Sequence, residues 1–277
     1  VNMKKIAIVA SGLLWATGVF ADGISSDIVG YTTKDAPQGK FLILTAPFNN
    51  LYAGEKVING LIGGVEGVDY DDDNLWRITA AQIQVPSEKG GYKTYFYLND
   101  GWVSKDVYKP GWCDNFGNIA DDAITPMLGF WFKSVPGAAT AKCSGNVPTN
   151  RQASISSPAV FALRGNAFPA PIELNSESMT MTAEGINGVD YDTDNIWRTT
   201  APQIQVPSEK GGYKTYFYLN DGWVSEGVYK PGWCDAFGNI VADVIKTGQG
   251  FWTKGVTGPF KLVFKNSLSG SASSDAK

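Results

Sequence analysis

A long internal repeat constrains this chain more than any other feature. Gly67–Lys133 aligns with Gly188–Lys254 at a constant offset of 121 without a gap, and Gln82–Ser104 (QIQVPSEKGGYKTYFYLNDGWVS) is identical to Gln203–Ser225. Whatever one copy folds into, the other must fold into as well. Core packing alone lets solvent-facing positions drift. Identity on both faces of every strand therefore points to a recent duplication or to two surfaces that meet similar partners. The 277 residues leave room for two domains, each with its own core.

The repeat reads as strands. Gln82-Ile83-Gln84-Val85 alternates until Pro86, and Tyr92–Leu98 is aromatic and β-favouring. Asn99-Asp100-Gly101 reads as a tight turn into a return strand at Trp102-Val103, giving a three-stranded meander. Gly129–Lys133 and Gly250–Lys254 read as buried strands, and Phe41–Leu44 and Val160–Leu163 as shorter apolar ones. One helical turn per copy is expected near Asp121–Ile124 and Val241–Ile245. With 32 Gly and 14 Pro against 4 Met, the expected class is all-β. Strand spacing points to two tandem β-sandwich domains, immunoglobulin-like or jelly-roll-like, related by internal duplication. They are expected at 22–145 and 146–268, with a Ser-rich disordered tail at 269–277.

Residues 1–21 read as a signal peptide. Lys4 and Lys5 precede the apolar run Ile6–Phe20, and Ala21 offers a small residue at the cut before Asp22. The run is short for a membrane span. The expected location is extracellular or at a bacterial cell surface, with no membrane insertion after cleavage. Loss of Lys4 and Lys5 takes the net charge from −4 to −6. An acidic chain without a basic cluster is not expected to bind nucleic acid.

The chain contains no His, which removes Ser-His-Asp and Cys-His nucleophile systems and His metal ligation. The shared acids fall in turn sequences, so no enzyme and no catalytic residue is expected. The acidic loop Asp69-Tyr-Asp71-Asp-Asp73 recurs as Asp190-Tyr-Asp192-Thr-Asp194. Asp at i, i+2 and i+4 is a spacing that can bring carboxylates to one Ca²⁺. The loop lacks the Gly and the distal Glu of an EF-hand, and Asx-turns ahead of Trp76 are the competing reading.

Four Trp recur in register: Trp76/Trp197, Trp102/Trp223, Trp112/Trp233 and Trp131/Trp252. Core filling is expected for most, Trp131 and Trp252 included. Trp102 and Trp223, with Tyr95 and Tyr216, are candidates for an exposed row that stacks on glycans or anchors a protein interface. Cys113 and Cys234 are equivalent, whereas Cys143 is matched by Phe264. Two readings stand for the cysteines: small buried apolar residues, or one disulfide, for which Cys113–Cys143 is the natural pair.

The second copy opens Phe161-Ala-Leu-Arg-Gly-Asn-Ala-Phe-Pro-Ala-Pro-Ile172. It closes Thr247-Gly-Gln-Gly-Phe-Trp-Thr-Lys254 and then Phe260-Lys-Leu-Val-Phe-Lys-Asn-Ser267. These edges resemble β-sandwich modules of secreted bacterial surface proteins, which open with a "GWNLVGNPYPSPI"-like strand and close with "PGQGFFVK" and "TVTFTNS". Arg164 replaces the usual Val, and Ala167 the usual Pro. The resemblance implies a non-catalytic part of an adhesin, surface layer or larger exported protein.

Two functions follow as expectations. One is a secreted structural subunit of an extracellular filament, surface layer or adhesive matrix that associates head to tail with itself. The other is a carbohydrate-binding protein using exposed aromatics, with Ca²⁺ as an accessory. The segment Gly23–Thr33 is either the first strand of its own domain or a strand donated to a neighbour's sheet.

Overall fold

The computed structural model describes residues 29–49, 58–122, 124, 126–182 and 189–267. The expected signal peptide and tail lie outside these residues, as does the 23–28 part of the expected donor strand. The first half contains β1 (Val29–Ala36), β2 (Phe41–Thr45), α1 (Ile58–Leu61), β3 (Ile62–Gly63), α2 (Trp76–Thr79), β4 (Gln82–Pro86), β5 (Tyr92–Ser104), β6 (Val107–Cys113), β7 (Gly129–Lys133) and β8 (Ala139–Asn146). The second contains β9 (Gln152–Ser157), β10 (Ala162–Arg164), β11 (Ile172–Glu173), β12 (Met179–Thr182), α3 (Trp197–Thr200), β13 (Gln203–Pro207), β14 (Tyr213–Ser225), β15 (Val228–Cys234), β16 (Val244–Ile245), β17 (Phe251–Lys254) and β18 (Phe260–Lys265). The protein is all-β, and every ladder between these strands is antiparallel.

The halves share a strand order. Five-stranded sheets run β2-β7-β4-β5-β6 and β10-β17-β13-β14-β15, and three-stranded sheets run β1-β8-β3 and β12-β18-β9. Registers also agree, with Ile83 opposite Tyr95 and Ile204 opposite Tyr216. Val29–Thr33 pairs in cis with β8, so this part of the expected donor strand is its own half's edge strand. The expected helical turns are displaced. Val244-Ile245 is a strand paired with β11, residue 123 of the other expected turn lies outside the described residues, and the helical turns are α1, α2 and α3, the last two each opening on a buried Trp.

In the first half one apolar cluster joins Ala36, Ile62, Ala141 and Cys143 of the three-stranded sheet to Leu44, Ile83, Trp112, Phe130 and Phe132 of the five-stranded sheet. A smaller cluster covers the opposite face of β5, where Trp76 packs edge-on to Phe96 at 5.1 Å beside Leu98 and Cys113. Alternation along β5 explains the split, because Tyr95 and Phe96 point to opposite faces. One polar tie crosses the first core. Asn59 donates to the carbonyls of Trp112 and Ala120 and accepts the Trp112 N–H, and Asn175 repeats this with Trp233 and Val241. Single Asn residues in loop-like sequence gave no signal of this role.

The halves meet reciprocally. Leu44 bridges to Gln249 and Arg164 bridges to Leu128. Thr45 donates its N–H to Gly248 at 3.1 Å, and Gly165 donates its own to Met127 at 2.9 Å. These partners are matched positions of the repeat, so each half touches the other through the surface by which it is touched. Close backbone approach explains the glycines here. A Cβ on Gly129 would fall 2.7 Å from the Arg164 carbonyl oxygen, and one on Gly250 2.8 Å from that of Leu44. Trp131 and Trp252, expected in the core, are half-buried and face each other across this junction at 6.1 Å. Phe41 and Phe161 flank them edge-on, so the row of rings offers no flat platform.

Thr45 and Gly165 are matched positions in contact. A Cβ on Gly165 would lie 2.1 Å from Thr45 Oγ1. Gly165→Thr is expected to destabilise the chain by about 1–3 kcal/mol through overpacking. Thr45→Gly in the same chain should recover much of the loss. A double-mutant cycle by denaturant titration checks this, and strict additivity would show that the two residues do not meet.

Candidate functional site

Sheet order places β6 and β15 at the outer edges, away from the junction. The chain reaches that edge without turning at Asn99-Asp100-Gly101. β5 runs straight through these residues as a bulge, with Leu98 opposite Gly111 and then Gly101 opposite Lys109. Three contacts displace the expected turn. Asn99 donates to Asp69 at 2.9 Å, and Asp100 accepts the Tyr70 N–H at 2.8 Å. Gly101 lies so close to β6 that a Cβ would be 2.4 Å from Cys113 Sγ. The reversal comes later, at Lys105-Asp106, where Asp106 is left-handed (φ 60°) and its counterpart is Gly227.

The later reversal puts Trp102 opposite Tyr108 on adjacent strands, and Trp223 opposite Tyr229. Beside them, Asp114 accepts the N–H groups of Phe116 and Asn118 and fixes a tight loop. That loop returns the Gly117 carbonyl to the Trp102 N–H. Phe116 is left 76 % exposed and Phe237 74 %. Trp102 and Trp223 are 45 % and 44 % exposed, although the turn expected just before each is absent. Val107, Tyr108, Val228 and Tyr229 add exposed surface that sequence reading missed, because it placed the turn too early. Lys109 and Pro110 lie on the same edge strand. Proline has no N–H to offer, so the edge is a poor template for strand addition.

Tyr95 and Tyr216 do not join this surface. They are 3 % and 5 % exposed, on the core face of β5 and β14. Tyr216 donates to Asp243 at 2.6 Å, and Tyr95 makes the matching bond to Asp122. The Tyr216 hydrogen bond holds the Asp243 carboxyl below its ordinary range against the opposing effect of burial, with help from Lys214. Alternation from exposed Tyr92 could not reveal that these hydroxyls find carboxylates beneath the sheet.

Of the six carboxylates offered to Ca²⁺, those of Asp71 and Asp192 are engaged by the backbone. Asp71 accepts the Leu75 N–H on one oxygen at 2.8 Å and the Trp76 N–H on the other at 3.0 Å, and Asp192 does the same for Ile196 and Trp197. Asp69 and Asp190 each take an Asn side chain, and Asp73 and Asp194 are exposed. Among the described residues no group of three His, Cys, Asp or Glu converges as a metal site. Asp71 and Asp192 cap the turns that seat Trp76 and Trp197 on the sheet.

Cys113, Cys143 and Cys234 are all free thiols. The expected Cys113–Cys143 bond is ruled out by the sheet itself. Cys113 shares a face with Phe96, whereas Cys143 lies in the cluster on the other face. Burial pushes each thiol up to about 12.

No family model, curated protein sequence or solved structure matches the chain.

Two measurements check these assignments. A thiol reagent at pH 8 should leave the folded protein unmodified and titrate three thiols once denaturant is added. A single reactive thiol in the denatured, unreduced protein would restore the disulfide. Asp71→Ala should cost about 1–2 kcal/mol of stability in metal-free buffer. No loss would remove the capping role.

Proposed function

We propose that the chain is a secreted structural protein. In this reading it consists of two β-sandwich domains related by internal duplication, with residues 1–21 as a signal peptide. It associates head to tail with further copies to build an extracellular filament, surface layer or adhesive matrix. It performs no catalysis.

One observation carries the reading: both outer corners expose the same apolar and aromatic residues, Trp102, Val107, Tyr108 and Phe116 and their counterparts. A monomer gains nothing from holding eight large apolar side chains in water at two remote corners. The hairpin tips beside them differ in charge: Lys105-Asp106 in the first half carries both signs, and Glu226-Gly227 in the second is acidic. Two second-half corners brought together would oppose Glu to Glu, whereas unlike corners offer Glu226 the lysine at 105. This favours a second copy as partner and a head-to-tail order. The same exposed Trp and Tyr support a second reading, a secreted carbohydrate-binding protein.

Light scattering and negative-stain microscopy of the chain without residues 1–21 test the proposal. Elongated assemblies are expected from the unaltered protein. Trp102→Ala/Tyr108→Ala removes one corner and should leave monomers, because every head-to-tail contact needs both kinds of corner. Dimers would instead indicate pairing of like corners. An unaltered protein that stays monomeric and is retained on a glycan column would overturn the structural reading in favour of the second.

A further inference from the structure

The repeat makes any departure from symmetry conspicuous, and one departure lines a cavity. A cleft of about 400 Å³ opens between β1 of the first half and the β13–β14 hairpin of the second. Four lysines line it: Lys34, Lys210, Lys214 and Lys246. Only two carboxylates accompany them, and both are already engaged. Glu209 pairs with Lys246, and Asp243 with Lys214 at 3.2 Å and with the Tyr216 hydroxyl. Lys34 makes no ion pair among the described residues. Burial and then the neighbouring Lys246 pull its ammonium below the ordinary range, against the opposing pull of Glu209 and Asp35. On a chain of net charge −4, this is a local excess of positive charge inside a concave surface.

The matched region of the first half keeps Lys89 and Lys93 but lacks counterparts of Lys34 and Lys246. Lys246 and Gln249 are replaced by Thr125 and Leu128. β1 and β9 are matched strands, since Ala36 pairs with Ala139 as Ser157 pairs with Phe260, so Lys34 corresponds to Ile155. Thr32, two residues before Lys34, lies against Gly248, where an added Cβ would meet its Oγ1 at 3.2 Å. The strand from the first half thus hangs its lysine over the second half's turn. Val206, Pro207 and Val244 line the cleft with apolar surface between the charges. A volume of this size exceeds what one inorganic ion needs and falls in the range of small-ligand sites.

We propose that this cleft binds an acidic sugar, with the carboxylate of a uronic acid unit taken by Lys34 and Lys246 and the ring lying on the apolar wall. Because the lysines come from both halves, the bound sugar pins one half to the other. The site is single although the chain is repeated, and it is independent of the outer aromatic corners.

Titration calorimetry of the full chain with tetragalacturonate, inorganic sulfate and a neutral maltotetraose tests this. One tetragalacturonate per chain is expected, with sulfate weaker by about ten-fold or more and maltotetraose silent. Lys34→Met and, separately, Lys210→Met on the exposed turn should each weaken tetragalacturonate by several-fold. Lys93→Met, the first-half counterpart of Lys214, should leave it unchanged. Absence of tetragalacturonate binding, two sites per chain, sulfate as tight as the tetramer, or indifference to both Lys34→Met and Lys210→Met would each overturn the proposal.

Discussion

Everything about how the two halves present themselves depends on a place where backbone meets backbone without room for a side chain. At the junction, Gly129 and Gly250 lie under the carbonyls of Arg164 and Leu44, and Gly165 yields its space to Thr45. Such contacts leave little freedom to slide, because a shift of an ångström breaks the hydrogen bonds at Gly248 and Met127. The paired Trp131 and Trp252 add edge-on ring contacts, each worth about 0.5–1.5 kcal/mol beyond their buried area. A junction of this kind fixes the outer edges of both five-stranded sheets on opposite sides of it.

Within each half the five-stranded sheet does two tasks with its two faces. One face closes the main core under the three-stranded sheet. The other carries Trp76 or Trp197, set in place by an aspartate-capped turn. The thiols are divided between faces, and Asp71 and Asp192 are bound to the turns they cap. What remains available to a partner is at the rim, where aromatics project from a hairpin and an Asx-fixed loop, and in the asymmetric lysine cleft.

The sequence made the repeat, the all-β character and most strands legible, because alternation and turn residues act locally. It misled where tertiary contacts override local preference. Asn99-Asp100-Gly101 has every mark of a turn, yet lateral bonds to the 69–71 loop and the contact with Cys113 keep it in a strand. Trp131 looks like core because its neighbours Phe130 and Phe132 are core, but alternation turns it to the other face and into the junction. Tyr95 looks exposed beside polar Thr94 and Lys93, but it hides its ring and gives its hydroxyl to Asp122. The lysine cleft brings residue 34 to residue 246, a proximity no local pattern encodes.

The central claim is that unlike corners of neighbouring copies come together. Site-directed crosslinking tests it most directly, since the native thiols are buried. Chains carrying Lys105→Cys and chains carrying Glu226→Cys are oxidised separately and, in a parallel sample, as a mixture. The account predicts disulfide-linked dimers from the mixture and almost none from either variant alone. Equal crosslinking of each variant with itself, or none in the mixture, would contradict it.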